Sequence, residues 1–178
     1  MLEYPVDMKG NWCNFFKNKN PLILELACGR GEYTVGLSLL FPHQNFIGVD
    51  VKGNRMYIGA KTCLQENIAN AGFLRTQIEK LTDYFSPGEV DEIWLTFPDP
   101  QLRTSRAKKR LTHPRFLRLY QQVLKPGGTY LAKVLRGGTE SEILKLMKKD
   151  FASVRHVKPM ASRDDSAELF VLAMGFRG

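Results

Sequence analysis

Three carboxylates stand where an apolar run gives way to a turn: Glu25 in "LILELACGRGEYT", Asp50 in "NFIGVDVKG" and Asp99 in "WLTFPDPQ". An ionised carboxylate is an acceptor-only group, suited to binding diols, amides and exocyclic amines. Asp99 lies between Pro98 and Pro100, which restrict the backbone around it. Five cations follow within eight residues: Arg103, Arg106, Lys108, Lys109 and Arg110. A fixed acid at the head of a cationic strip suits a polar substrate that carries phosphates. The plainer alternatives are a turn-forming Asp and a solvated charge run.

The first of these acids leads into a glycine loop. Gly29 and Gly31 allow a sharp turn from strand into helix and a close approach to a ligand. A dinucleotide fingerprint would carry a third glycine, but Thr34 stands in that place, which disfavours NAD. Asp50 ends the next apolar run, where a carboxylate accepts two hydrogen bonds from a ribose diol. Together these point to a nucleoside-containing cofactor. Gln77, in "RTQIE", is placed to bond an adenine edge or simply to sit on the surface.

The elements that must position these residues alternate. Strand-like runs cover Leu22–Leu26, Asn45–Val49, Gly72–Arg75, Glu92–Thr96, Thr129–Leu135, Ser153–Val157 and Glu168–Met174. Helix-like stretches fall at about 32–41, 53–70, 113–124 and 139–149, and "LKPGG" at 124–128 breaks a helix before a strand. Such alternation implies an α/β fold with a parallel sheet covered on both faces. A length of 178 residues suits one domain, 1–178, with residues 1–20 packing on it through a short helix within Met8–Phe16.

A net charge of +8 and a pI near 9.5 favour a polyanionic partner, nucleic acid above membrane. Cys13, Cys28 and Cys63 show neither CxxC nor Cys/His ligand spacing, so no disulfide framework or metal site is expected. The sequence shows no membrane-length apolar run and no signal-peptide core, so the chain reads as cytoplasmic and reduced. His43, His113 and His156 are scattered, with His113 before Pro114 marking the start of a helix. Ser162 and Ser166 lack the His and acid order of a hydrolase.

The glycine loop resembles the ExGxGxG loop of class I S-adenosylmethionine (AdoMet) methyltransferases, with Ala27 at the first glycine. More specifically, "EYPVDMKGNW", "PLILELACGRGEYTVGL", "NFIGVDVKGNRM", "FLRTQIE", "GEVDEIWLTFPDPQ" and "KKRLTHPRFLRLYQQVLKPGG" resemble the bacterial tRNA (guanine-N7)-methyltransferase family over about residues 3–128. The resemblance implies a Rossmann-like, seven-stranded, mostly parallel sheet whose last strand is antiparallel and inserted beside its neighbour. It implies AdoMet as donor, held at Glu25, Ala27, Gly29, Gly31, Asp50 and Gln77. It implies the variable-loop guanosine of tRNA as acceptor, Asp99 as the substrate-site acid and Lys108–Arg110 on RNA.

The Lys-Thr-Asp and Thr-x-Tyr-Glu motifs of that family are absent after the fifth strand. About residues 129–178, "KPMASRDDSAELFVLAMGF" above all, resemble instead the heat-shock-type 23S rRNA uridine 2′-O-methyltransferases. By that likeness Lys133 and Glu168 match two members of a catalytic lysine–aspartate–lysine–glutamate set, while Phe97 stands at the aspartate position. The structural alternative is a strand-end lysine and an edge-strand charge. Guanine N7 has a free lone pair and needs positioning rather than a base, whereas a 2′-hydroxyl needs a proton acceptor. The expectation is therefore N7 methylation of tRNA by a monomer or homodimer. The alternatives are rRNA uridine 2′-O-methylation and an inactive RNA-binding mosaic.

Overall fold

The computed structural model describes all residues except 4, 6, 100, 102–103, 136–139 and 160–165. Arg103 of the cationic strip and Ser162 therefore lie outside the described residues. The strands are β1 (Leu2–Glu3), β2 (Leu22–Leu26), β3 (Asn45–Asp50), β4 (Ala71–Arg75), β5 (Val90–Leu95), β6 (Leu124–Leu135), β7 (Phe151–Val157) and β8 (Glu168–Phe176). They form one sheet in the order β1-β4-β3-β2-β5-β6-β8-β7. The pairs from β1 through β6 are parallel, and β8 runs antiparallel between β6 and β7.

Eight strands replace the seven expected. The addition is β1, whose two residues pair with Leu74 and Arg75 of β4 and whose Glu3 forms an ion pair with Arg75. Two residues carry no alternation, so nothing in the sequence marks them as a strand. The inserted antiparallel β8 agrees with expectation. β6 begins five residues earlier than expected, at Leu124. Its pairing with β5 jumps from Val90–Leu124 to Glu92–Thr129, so "KPGG" bulges out of the ladder.

Helices α1 (Trp12–Phe16), α2 (Glu32–Leu40), α3 (Gly53–Gln65), α4 (Leu81–Tyr84), α5 (Pro114–Val123) and α6 (Glu140–Asp150) complete the chain. Every residue of β2 is buried, as a central strand covered on both faces requires. α3 buries Met56, Gly59, Ala60 and Cys63, the i, i+3, i+4, i+7 stripe of a helix lying on a sheet. α5 starts at Pro114, with His113 Nδ1 accepting from the Arg115 amide, and buries Phe116, Leu117, Tyr120 and Val123. α1 lies on the larger core through Trp12, which stacks on Phe85 and donates from Nε1 to the Tyr84 carbonyl at 2.9 Å.

From β2 the chain builds outward on one side to β3 and β4 and on the other to β5 and β6. The strand order thus reverses between β2 and β5. Ligands of open α/β sheets bind outside the carboxyl ends of the strands at such a point.

Candidate functional site

The loop after β2 folds over that point. Ala27, Gly29 and Gly31 all have positive φ, 58°, 58° and 78°. The two glycines do different work. Gly29 lines the crevice, and a Cβ there would meet nothing within 4 Å. Gly31 is turned inward: a Cβ there would lie 2.3 Å from the Phe73 ring. The absence of a side chain at Gly31 lets the loop pack over Phe73.

Glu25 also faces inward. It is 5% exposed, accepts from the Thr34 amide and hydroxyl at 2.8 and 2.5 Å, and accepts from the Thr96 hydroxyl at 2.9 Å. Burial pushes its carboxyl pKa up, opposed by those hydrogen bonds. Glu25 thus ties the start of α2 and the end of β5 to β2, beneath the crevice. Thr34 and Thr96 are the partners that sequence reasoning missed.

Asp50 remains at the crevice wall. Its Oδ2 accepts from the Gly29 amide at 3.0 Å and its Oδ1 from the Lys52 amide at 2.9 Å. Two cavities meet there, both lined by Ala27 and Asp50. One, about 820 Å³, is lined also by Gly29, Arg30, Phe97 and Asp99. The other, about 550 Å³, runs past Val51, Gln77, Ile78 and Phe116 to Lys109 and Arg115. Both volumes fall in the range of small-molecule and cofactor sites, about 300–1,000 Å³. Cys28 also lines the first cavity, but burial pushes its thiol pKa far up, which removes it as a nucleophile.

Asp99 is exposed at the rim of the larger cavity. Its Oδ1 accepts the Gln101 amide at 3.0 Å, closing an Asx turn with Gln101 at φ 43°. Oδ2 makes no hydrogen bond among the described residues. The cationic strip forms a 3₁₀ helix over Thr104–Lys109, with Arg106, Lys108 and Lys109 exposed. Arg110 is half-buried and donates from Nε to the Gln101 carbonyl at 3.2 Å, closing the loop that carries Asp99.

Lys133 on β6 and Glu168 on β8 meet, Nζ to Oε2, at 2.7 Å. The same ammonium lies 4.3 Å from the centroid of the Phe97 ring, so position 97 does face the lysine, as a ring rather than an acid. Among the described residues no cluster of His, Cys, Asp or Glu could hold a metal ion, and no helix is long and apolar enough to cross a membrane.

A family model described as "Putative methyltransferase" matches residues 19–168. The chain belongs to this methyltransferase family. It is 57% identical over 122 residues to the tRNA (guanine-N(7)-)-methyltransferase of Porphyromonas gingivalis, covering 68% of this chain and 49% of that protein. The chain spans about half the length of the curated relatives it matches. In fold it is similar to the 16S rRNA methyltransferase KamB, with a TM-score of 0.70, 17% identity and coverage of 94% of this chain and 93% of that one. A Streptococcus mutans methyltransferase solved in complex with SAH gives a TM-score of 0.63 at 17% identity, covering 91% and 93%. With the mixed sheet and its antiparallel β8, this is the class I AdoMet-dependent methyltransferase fold.

Proposed function

We propose that this chain transfers a methyl group from AdoMet to guanine N7 in tRNA. The observation that carries this reading is the turn holding Asp99: a carboxylate with one oxygen fixed by Gln101 and the other without a hydrogen bond among the described residues, in the same cavity as Gly29 and Asp50. The names of the curated relatives support the same substrate. AdoMet, when bound, supplies a methyl group on a sulfonium.

The cavity wall fits such a cofactor. Asp50, with both oxygens oriented by backbone amides, keeps lone pairs for a ribose diol. Val51 and Ile78 give the second cavity apolar walls beside Gln77, a setting suited to a purine. In this reading Asp99 Oδ2 accepts from guanine N1–H and N2–H₂ and so holds the ring for transfer to N7. N7 has no proton to lose, so orientation is the whole demand on the protein. Arg106, Lys108 and Lys109 are exposed on the 3₁₀ helix that follows the Asp99 turn and neutralise phosphates. Residues 1–178 act as one unit in this reading.

The Lys133–Glu168 contact favours a second reading, ribose 2′-O transfer to rRNA uridine, with Lys133 oriented by Glu168. Against it, the position that faces the lysine is Phe97. Incubation with labelled AdoMet and total RNA, followed by nucleoside analysis, separates the two. 7-Methylguanosine from tRNA, lost in Asp99→Ala, is the expected product. Recovery of 2′-O-methyluridine, with Lys133 essential and Asp99 dispensable, would overturn the choice.

A further inference from the structure

We infer that Phe97 is the surface on which the acceptor base stacks, and that Lys133, Glu168 and Tyr33 hold its ring in place. The inference rests on the proposed base methylation and assigns a role to a residue that reading leaves unused.

Phe97 follows a strand whose last residue, Leu95, is fully buried, yet its own side chain is 60% exposed. A turn that needed only Asp99 and its prolines would have no use for a large ring in water. The ring is nonetheless fixed. Tyr33 meets it edge-on at 5.6 Å between centroids and 63° between planes. The Lys133 ammonium lies 4.3 Å from its centroid, within the reach of a cation–π contact.

The lysine is itself held. Lys133 pairs across the ladder with Phe170, two residues from Glu168 on the same face of β8, and this diagonal neighbour accepts its ammonium at 2.7 Å. The geometry therefore uses Lys133 as a positioning residue that steadies the Phe97 ring.

Phe97 and Asp99 line the same cavity, two residues apart on one turn. A purine laid on the exposed part of the ring would extend its Watson–Crick edge along the rim toward Asp99. Stacking on an aromatic face and hydrogen bonding at the Watson–Crick edge are the paired contacts by which enzymes hold a base taken out of its stack. The two residues supply one each.

Phe97→Tyr and Phe97→Leu separate a ring from mere apolar volume, and Lys133→Met and Lys133→Arg separate a cation from a stem. For tRNA, Phe97→Leu should lower kcat/KM about 10- to 100-fold, the range set by loss of one base–aromatic stack. Phe97→Tyr should recover most of that loss. Lys133→Met should give a smaller fall, partly restored in Lys133→Arg. AdoMet affinity by calorimetry should move far less than kcat/KM in all four, including the Phe97 variants, whose ring borders the same cavity as Gly29 and Asp50. Equal loss in Phe97→Leu and Phe97→Tyr, no loss in Phe97→Leu, or weakened AdoMet binding in step with activity would overturn the assignment.

Failure of the underlying reading is visible separately, as a parent chain that methylates no base in tRNA. Stacking is then read by titrating tRNA onto protein saturated with SAH. Tighter binding by the parent than by Phe97→Leu supports the platform, and equal affinity overturns it.

Discussion

Asp50 Oδ2 accepts the Gly29 amide at 3.0 Å, which ties the end of β3 to the glycine loop that follows β2. The same carboxylate takes the Lys52 amide at 2.9 Å, at the start of α3. One side chain thus sets the spacing of both backbone segments that border the crevice, and it does so from the wall they share. Replacing it removes a hydrogen-bond acceptor for a ligand and loosens the wall at once.

Asp50→Ala should therefore weaken AdoMet binding by about 1.5–3 kcal/mol, the scale of hydrogen bonds to a charged group. Asp50→Asn should fall between, because its amide oxygen still accepts one of the two backbone bonds. Isothermal calorimetry on the three proteins checks the order. An Asp50→Ala variant that binds AdoMet as tightly as the parent sinks the ribose assignment.

Glu25 predicts a stability effect, not a binding one. Its oxygens take three hydrogen bonds from Thr34 and Thr96 in a buried site. Glu25→Gln turns an NH₂ toward those donors and should cost about 1–3 kcal/mol, the penalty of unsatisfied buried polar groups. Burial raises this carboxyl's pKa in the folded state. The folded state then binds its proton more readily than the unfolded chain. The stability contribution is full below the ordinary carboxylate range and declines as pH rises through the raised value. Denaturant unfolding should accordingly show the parent's advantage over Glu25→Gln shrinking from mildly acidic to neutral pH. An advantage that grows with pH would mean the hydrogen bonds outweigh burial.

Much of this was legible in the sequence, and the misses share a cause. β2 and β3 were readable because burial on both faces writes a continuous apolar run. The crevice followed from strand order plus the loop. An acid at a strand end looks the same whether its oxygens face a ligand or a hydroxyl, so Glu25 and Asp50 could not be told apart. Thr34, nine residues after Glu25, and Thr96 beside the Asp99 turn were the signal for an inward acid. Gly29 and Gly31 were indistinguishable for a similar reason, since the Phe73 ring that requires Gly31 comes from a strand distant in sequence. Phe97 registered only as a missing acid. Its exposure and its contact with Lys133 depend on the pairing of β6 with β5 and β8, which local pattern does not encode.

Ala27 carries a strained backbone at φ 58° and lines both cavities. A left-handed conformation costs a non-glycine residue roughly 1–2 kcal/mol. Glycine relieves that strain but adds roughly 0.4–1 kcal/mol of unfolded-chain entropy to be lost on folding. The strain outweighs the entropy, so Ala27→Gly should stabilise the protein by about 0.5–1 kcal/mol in denaturant unfolding, the difference between those two costs. A destabilised variant would show that the alanine methyl packs more favourably than its backbone angle costs.

The cationic strip predicts a salt dependence that can be divided between residues. A 3₁₀ helix has three residues per turn, so Arg106 and Lys109 share one side of Thr104–Lys109 while Lys108 lies on another. Lys109 also lines the smaller cavity, beside Gln77, and Lys108 does not. Each lysine that touches a phosphate releases counterions, contributing about 0.7 to the slope of log binding constant against log salt on single strands and about 0.9 on duplex. Lys108→Ala and Lys109→Ala should each flatten the slope for tRNA by that amount, with the double variant showing the sum. Only Lys109→Ala should also alter AdoMet affinity, through the cavity it borders. Filter binding across a salt series, with calorimetry for the cofactor, reads both effects. An unchanged slope in the double variant would move the RNA to another face of the protein. A changed slope with AdoMet affinity moved equally by both lysines would mean that the strip acts through the general field of the crevice instead of through separate phosphate contacts.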